Sequence, residues 1–161
     1  MVLRLKIRVV AFVALVIGLG VGCGGALRTY EGDVRIESAE DVAAFADYER
    51  VDGRVTIAAP GVVGISWPAL QEITGDLWIW DNTGLKGFNF AGLTRVESSV
   101  LVRNNSQLVG FNLGNLVHVG GSFSFVYNPE LALCQIESVL AGCVVVGDRT
   151  VSDNNGTAGC L

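Results

Sequence analysis

Apolar side chains alternate with polar ones in short bursts along this chain: Val55 and Ile57, Leu77 and Ile79, Val100 and Val102, Phe123 and Phe125. A period of two over so few residues marks a strand with one buried face. The bursts recur regularly. Asn82, Asn105 and Asn128 are spaced by 23 residues, and the same interval links Leu85, Leu108 and Leu131, and then Phe88, Phe111 and Cys134. Phe90, Leu113 and Ile136 keep this phase, and Gly75, Ser98 and Gly121 open the units. Carried backwards, the phase finds two earlier copies, opening at Gly53 and Gly32.

A unit of one short strand and one bend cannot bury its apolar side alone, so consecutive units must stack. The predicted fold is therefore a repeat solenoid of about five to six coils of ~23 residues, with one main parallel sheet and short capping helices. Each recurring Asn follows a strand, where the chain bends away and an amide can satisfy backbone groups of its own and the adjacent coil. Asn82, Asn105 and Asn128 are thus expected to form a structural ladder rather than a ligand site.

The ends depart from the repeat. Ser38 with Asp41 three residues on reads as the start of a helix over 38–46, with Val42, Phe45 and Ala46 on one face. Cys134 to Leu140 reads as a second short helix, Val144-Val145-Val146 as a last strand, and Asp153-Asn154-Asn155-Gly156 as a turn-rich tail.

The beginning of the chain carries a different pattern. Arg4, Lys6 and Arg8 precede an uncharged run from Val9 to Gly22, which closes on small residues before Cys23. This is a secretory signal layout, and a run of 14 residues falls short of the roughly 20 that span a bilayer as a helix. The expected organisation is a signal peptide over 1–22, a linker over 23–31 and the solenoid over 32–161. Leu19-Gly20-Val21-Gly22-Cys23 resembles the lipobox of bacterial lipoproteins, in which the Cys is acylated and becomes the first mature residue. That resemblance implies a membrane anchor at Cys23, and Gly24 after it implies the outer membrane. Ordinary cleavage, with Cys23 free or paired and the protein released, is the alternative. With Cys23 acylated, Cys134, Cys143 and Cys160 remain, an odd number in a compartment where disulfides persist.

Composition narrows the function further. The chain of 161 residues is half hydrophobic with 21 Gly, as one sizeable domain full of tight turns requires. Without Arg4, Lys6 and Arg8 only 8 basic side chains face 16 acidic ones, which disfavours nucleic acid as a partner. His118 is the only histidine and no Cys-x-x-Cys pair exists, so neither a metal site nor a cofactor is expected. His118 itself reads as a surface bend residue.

The run Gly75-Asp76-Leu77-Trp78-Ile79-Trp80-Asp81-Asn82, followed by Leu85 and Leu93-Thr94-Arg95-Val96, resembles the receptor L domain of the insulin and epidermal growth factor receptors. Asn128-Pro129-Glu130-Leu131, with Cys134, Ile136-Glu137-Ser138 and the closing Cys160, resembles the C-terminal cap of that family. The likeness covers residues 30 to 160. It implies an L-domain-like, leucine-rich-repeat-related right-handed β-helix, and by position a disulfide between Cys134 and Cys160.

If Leu77 and Ile79 point inward, Trp78 and Trp80 point outward. The same outward columns hold Thr56, Leu101 and Ser124, then Ala58, Arg103 and Val126. Large aromatics beside an Arg on an exposed sheet suit contact with a protein or a glycan, so Trp78, Trp80, Leu101, Arg103 and Val126 form the candidate binding face. Packing of the two Trp along neighbouring strands is the structural alternative, and Trp67, before Pro68 in a bend, reads as core. Polysaccharide cleavage would need a carboxylate pair, but Arg54 interrupts the column of Asp33 and Asp76, and Asp81 stands alone. The expectation is a non-catalytic envelope binding module. The alternatives are a structural envelope protein without a specific ligand and, less favoured, a polysaccharide-active enzyme.

Overall fold

A computed structural model describes residues 26–155, leaving Cys23 and Cys160 outside the described part. The architecture is mostly parallel β, with three sheets and two helices. The first sheet contains β1 (Thr29–Glu31), β3 (Arg50–Asp52), β6 (Glu72–Ile73), β9 (Arg95–Val96), β12 (His118–Val119) and β14 (Val144–Val145). The second contains β2 (Val34–Ile36), β4 (Val55–Ile57), β7 (Leu77–Trp80), β10 (Val100–Arg103), β13 (Phe123–Val126) and β15 (Arg149–Ser152). A third, three-stranded sheet is built from β5 (Gly64–Ser66), β8 (Gly87–Asn89) and β11 (Gly110–Asn112).

Register follows the spacing in the sequence. In the second sheet Val55 pairs with Leu77, Leu77 with Val100 and Val100 with Phe123. In the first, Glu72 pairs with Arg95 and Arg95 with His118. Both sheets lengthen their last step, Phe123 to Arg149 between β13 and β15 and His118 to Val144 between β12 and β14, because α2 (Leu133–Gly142) is inserted there. One main sheet was the expectation; three are found. The first-sheet strands β3, β6, β9 and β12, two or three residues long, each place a single side chain inward, Val51, Ile73, Val96 and Val119, and so cannot display alternation. The last strand of the second sheet is Arg149–Ser152, whereas Val144–Val145 ends the first. His118 lies in β12 rather than in a bend, and β1 begins at Thr29, inside the stretch assigned to a linker.

The core lies between the sheets. Leu77, Ile79, Val100, Val102, Phe123 and Phe125 are fully buried from the second sheet, Ile73, Val96 and Val119 from the first. Removing each such side chain from water contributes roughly 1.5–3 kcal/mol. Aromatic rings connect the two ends: Phe45 meets Trp67, Trp67 stacks on Phe90, and the contacts continue through Phe88, Phe111 and Phe125 to Phe123. Trp67 is 1% exposed, and its Nε1 donates to the Val42 carbonyl at 2.9 Å, which ties α1 (Ala39–Ala44) to the core. That helix starts as its sequence requires: Ser38 Oγ accepts from Asp41 N, and Asp41 Oδ2 accepts from Ser38 N.

Buried amides hold the bends together. Asn82 Nδ2 donates to Asn105 Oδ1 at 2.9 Å, Asn105 Nδ2 to Asn128 Oδ1 at 3.1 Å and Asn128 Nδ2 to Asn154 Oδ1 at 3.0 Å. Each amide also reaches a strand carbonyl, at Ile57, Ile79, Val102 and Phe125 in turn. Immediately before each Asn stands a residue with positive φ: Asp81, Asn104, Tyr127 and Asp153. The left-handed kink ends the strand and turns the amide inward.

Candidate functional site

The outer face of the second sheet carries two columns fixed by register. Arg35, Thr56, Trp78, Leu101, Ser124 and Thr150 form one. Trp80, Arg103, Val126 and Ser152 form the other. The structure thus brings Trp78, Trp80, Leu101, Arg103 and Val126 onto one face, since strand alternation sends Leu77, Ile79, Val100 and Val102 the other way.

The two Trp differ in environment. Trp78 is half-buried and carries the Arg54 guanidinium 4.2 Å above its ring. Arg54 Nε in turn donates to Asp76 Oδ2 at 3.1 Å. Packing along neighbouring strands therefore describes Trp78. Trp80 is 38% exposed, beside Arg103, which is also exposed. The Arg103 guanidinium lies 5.8 Å from the Tyr127 ring centroid. Tyr127, half of whose surface is open, extends the aromatic face, although the sequence reading passed over it. Its phase could have revealed it, because Tyr127 stands before Asn128 as Asp81 stands before Asn82.

The carboxylates of Asp33, Asp76 and Asp81 each accept hydrogen bonds from neighbouring residues. Asp76 Oδ1 accepts from Ser98 Oγ at 2.5 Å and from Ser99 N at 3.1 Å, in addition to the bond from Arg54. Burial opposes its charge, but these donors prevail and hold the carboxyl below its ordinary range. Asp33 Oδ1 accepts from Arg54 N, and Asp81 Oδ1 accepts from Asn104 Nδ2 at 2.9 Å. Each acid is thus bonded to a neighbouring strand or turn. Asn82, Asn105 and Asn128 are buried in the ladder.

Elsewhere, a shallow open groove of about 500 Å³ crosses the third sheet over Gly64, Gly87 and Gly110. No group of three metal-ligating side chains occurs among the described residues, and no helix among them is long and apolar enough to cross a membrane. Cys134 is disulfide-bonded. Cys143 is a free, buried thiol, pushed up in pKa by burial against a smaller opposing effect of Arg149. Neither family models nor curated proteins yield a match to this chain.

Proposed function

We propose that this protein is a non-catalytic lipoprotein of the bacterial cell envelope that binds a protein or a glycan through the outer face of its second sheet. The single observation that carries the reading is the exposure of Trp80 beside the exposed Arg103 on a rigid, hydrogen-bonded sheet. Aromatic and Arg side chains dominate contact energies, and a sheet holds them in place at little entropic cost on binding. Beneath them we read a repeat solenoid of the receptor L-domain type, and the equal steps of its two long sheets support that reading.

The anchor in this proposal is an acylated Cys23, for which the signal layout of residues 1–22 and the lipobox-like run before it are the support. Cys160 is the proposed partner of Cys134, since Cys143, the other cysteine among the described residues, is free. Unreduced mass spectrometry of the membrane-extracted protein reads both features together. An acylated Cys23 with a Cys134 to Cys160 bridge is the expected result; an unmodified N-terminus would replace the anchored protein by a released one.

Binding is tested with the detergent-extracted protein on envelope proteins and polysaccharides. Retention is expected to fall with Trp80→Ala and to persist with Val63→Ala, an exposed apolar residue outside the second sheet. Equal retention by both variants would remove the sheet face from consideration.

A further inference from the structure

We infer that the ligand of this face is an acidic saccharide, bound at the rim made by Trp80, Arg103 and Tyr127; the inference rests on the sheet face being the binding surface. Arg54 closes one column by lying over Trp78 while bonded to Asp76. The next column is open, because no cation among the described residues covers Trp80, which is 38% exposed.

Arg103 faces Trp80 across the β7–β10 pair and leans toward Tyr127. Arg28, Arg35, Arg50, Arg54 and Arg95 each hold a carboxylate, whereas Arg103 and Arg149 form no ion pair among the described residues, and Arg149 instead donates to the Cys143 carbonyl. An exposed guanidinium without a carboxylate partner is a local site for an external carboxylate, set against the acid excess of the chain as a whole. Next to Arg103 and Trp80 in sequence, Asn104 Nδ2 donates to Asp81 Oδ1 at 2.9 Å, and both exposed side chains carry a second oxygen that can accept.

A carboxylate for Arg103, flat C–H faces for the indole and phenol rings, and hydroxyl donors for the two acceptors all occur together in a uronic acid. An acidic peptide supplies the carboxylate and hydrogen-bond donors, but not, on the same residue, the flat C–H ring face that stacks on an indole or phenol ring. The observations therefore favour the saccharide.

The test is calorimetric titration of the detergent-extracted protein with oligomers of glucuronate, galacturonate and mannuronate, and with their methyl esters. At least one uronate is expected to bind about tenfold or more tightly than its ester, with affinity falling as salt rises. Arg103→Gln should weaken binding by about tenfold or more, Trp80→Phe should retain most of it, and Lys86→Gln, remote from the rim, should leave it unchanged. Equal affinity for acid and ester, or an unaffected Arg103→Gln, would overturn the inference, and so would equal competition by poly-glutamate. If no uronate binds while Trp80→Ala still abolishes envelope retention, the ligand class is wrong and the binding face stands. If Trp80→Ala leaves retention intact, the face itself is wrong.

Discussion

Asn105 Oδ1 accepts both the backbone N–H of Asn82, at 3.2 Å, and its side-chain amide, at 2.9 Å, so one buried atom closes two bonds across adjacent strands. Asn105 also donates to Ile79 O and to Asn128 Oδ1. Asn105→Ala would strand these groups in an interior where each unsatisfied polar group costs about 1–3 kcal/mol. A loss of about 3–5 kcal/mol in urea unfolding is expected, against a smaller loss for Asn154→Ala, whose rung is part-exposed and open to water. Equal losses would show that the ladder does not act through burial.

Glycines here fall into two kinds, and substitution should separate them. A Cβ on Gly120 would stand 2.1 Å from the Glu97 carbonyl oxygen, an impossible approach between packed backbones, while on Gly64 it would meet only Gly87 O, at 3.8 Å. Gly120→Ala should destabilise by about 1–3 kcal/mol or more through forced backbone movement. Gly64→Ala should be neutral or stabilise by roughly 0.5–1 kcal/mol, because Ala loses less backbone entropy on folding. Thermal unfolding of the two variants gives the comparison, and a destabilised Gly64→Ala would point to a tighter groove than the geometry describes.

The residues legible in advance were those whose environment repeats. Asn82, Asn105 and Asn128 announce the ladder because equal spacing places them over one another, but Asn154 escapes detection because α2 lengthens the last step. Ser38 and Asp41 announce a helix start, since a capping box is local. The first sheet was hidden because one inward side chain per strand leaves no period to read. At the candidate site, alternation put Trp78 and Trp80 on the same face. It could not distinguish them, because the covering of Trp78 by Arg54 is a contact between neighbouring strands.

Trp67 should be the fluorophore of the three that is shielded from quencher. It is 1% exposed, stacked on Phe90 and bonded to Val42 O, whereas Trp80 is open and Trp78 half-covered. Trp67→Phe should remove the acrylamide-resistant part of the native emission and cost about 1–3 kcal/mol, since the Val42 carbonyl loses its indole donor. Native emission that stays as resistant after the substitution would contradict this placement of Trp67.

Asp76 sets the acid limit of the same face. Its carboxyl is held below the ordinary range, against the cost of burial, by Ser98, the Ser99 N–H and Arg54. A folded-state pKa lower than the unfolded one makes the native state bind fewer protons at acid pH. The stabilisation is complete above the usual carboxylate value of about 4 and is lost as pH falls through the lower folded value. Asp76→Asn should therefore be about 1–3 kcal/mol less stable than the parent near neutrality, and the gap should close progressively in acid. Arg54, relieved of its carboxylate in either case, should also loosen over Trp78. The check is paired urea titrations across the acid range, with Trp emission followed in parallel. A stability gap that stays constant into strong acid would mean that Asp76 contributes through shape rather than charge.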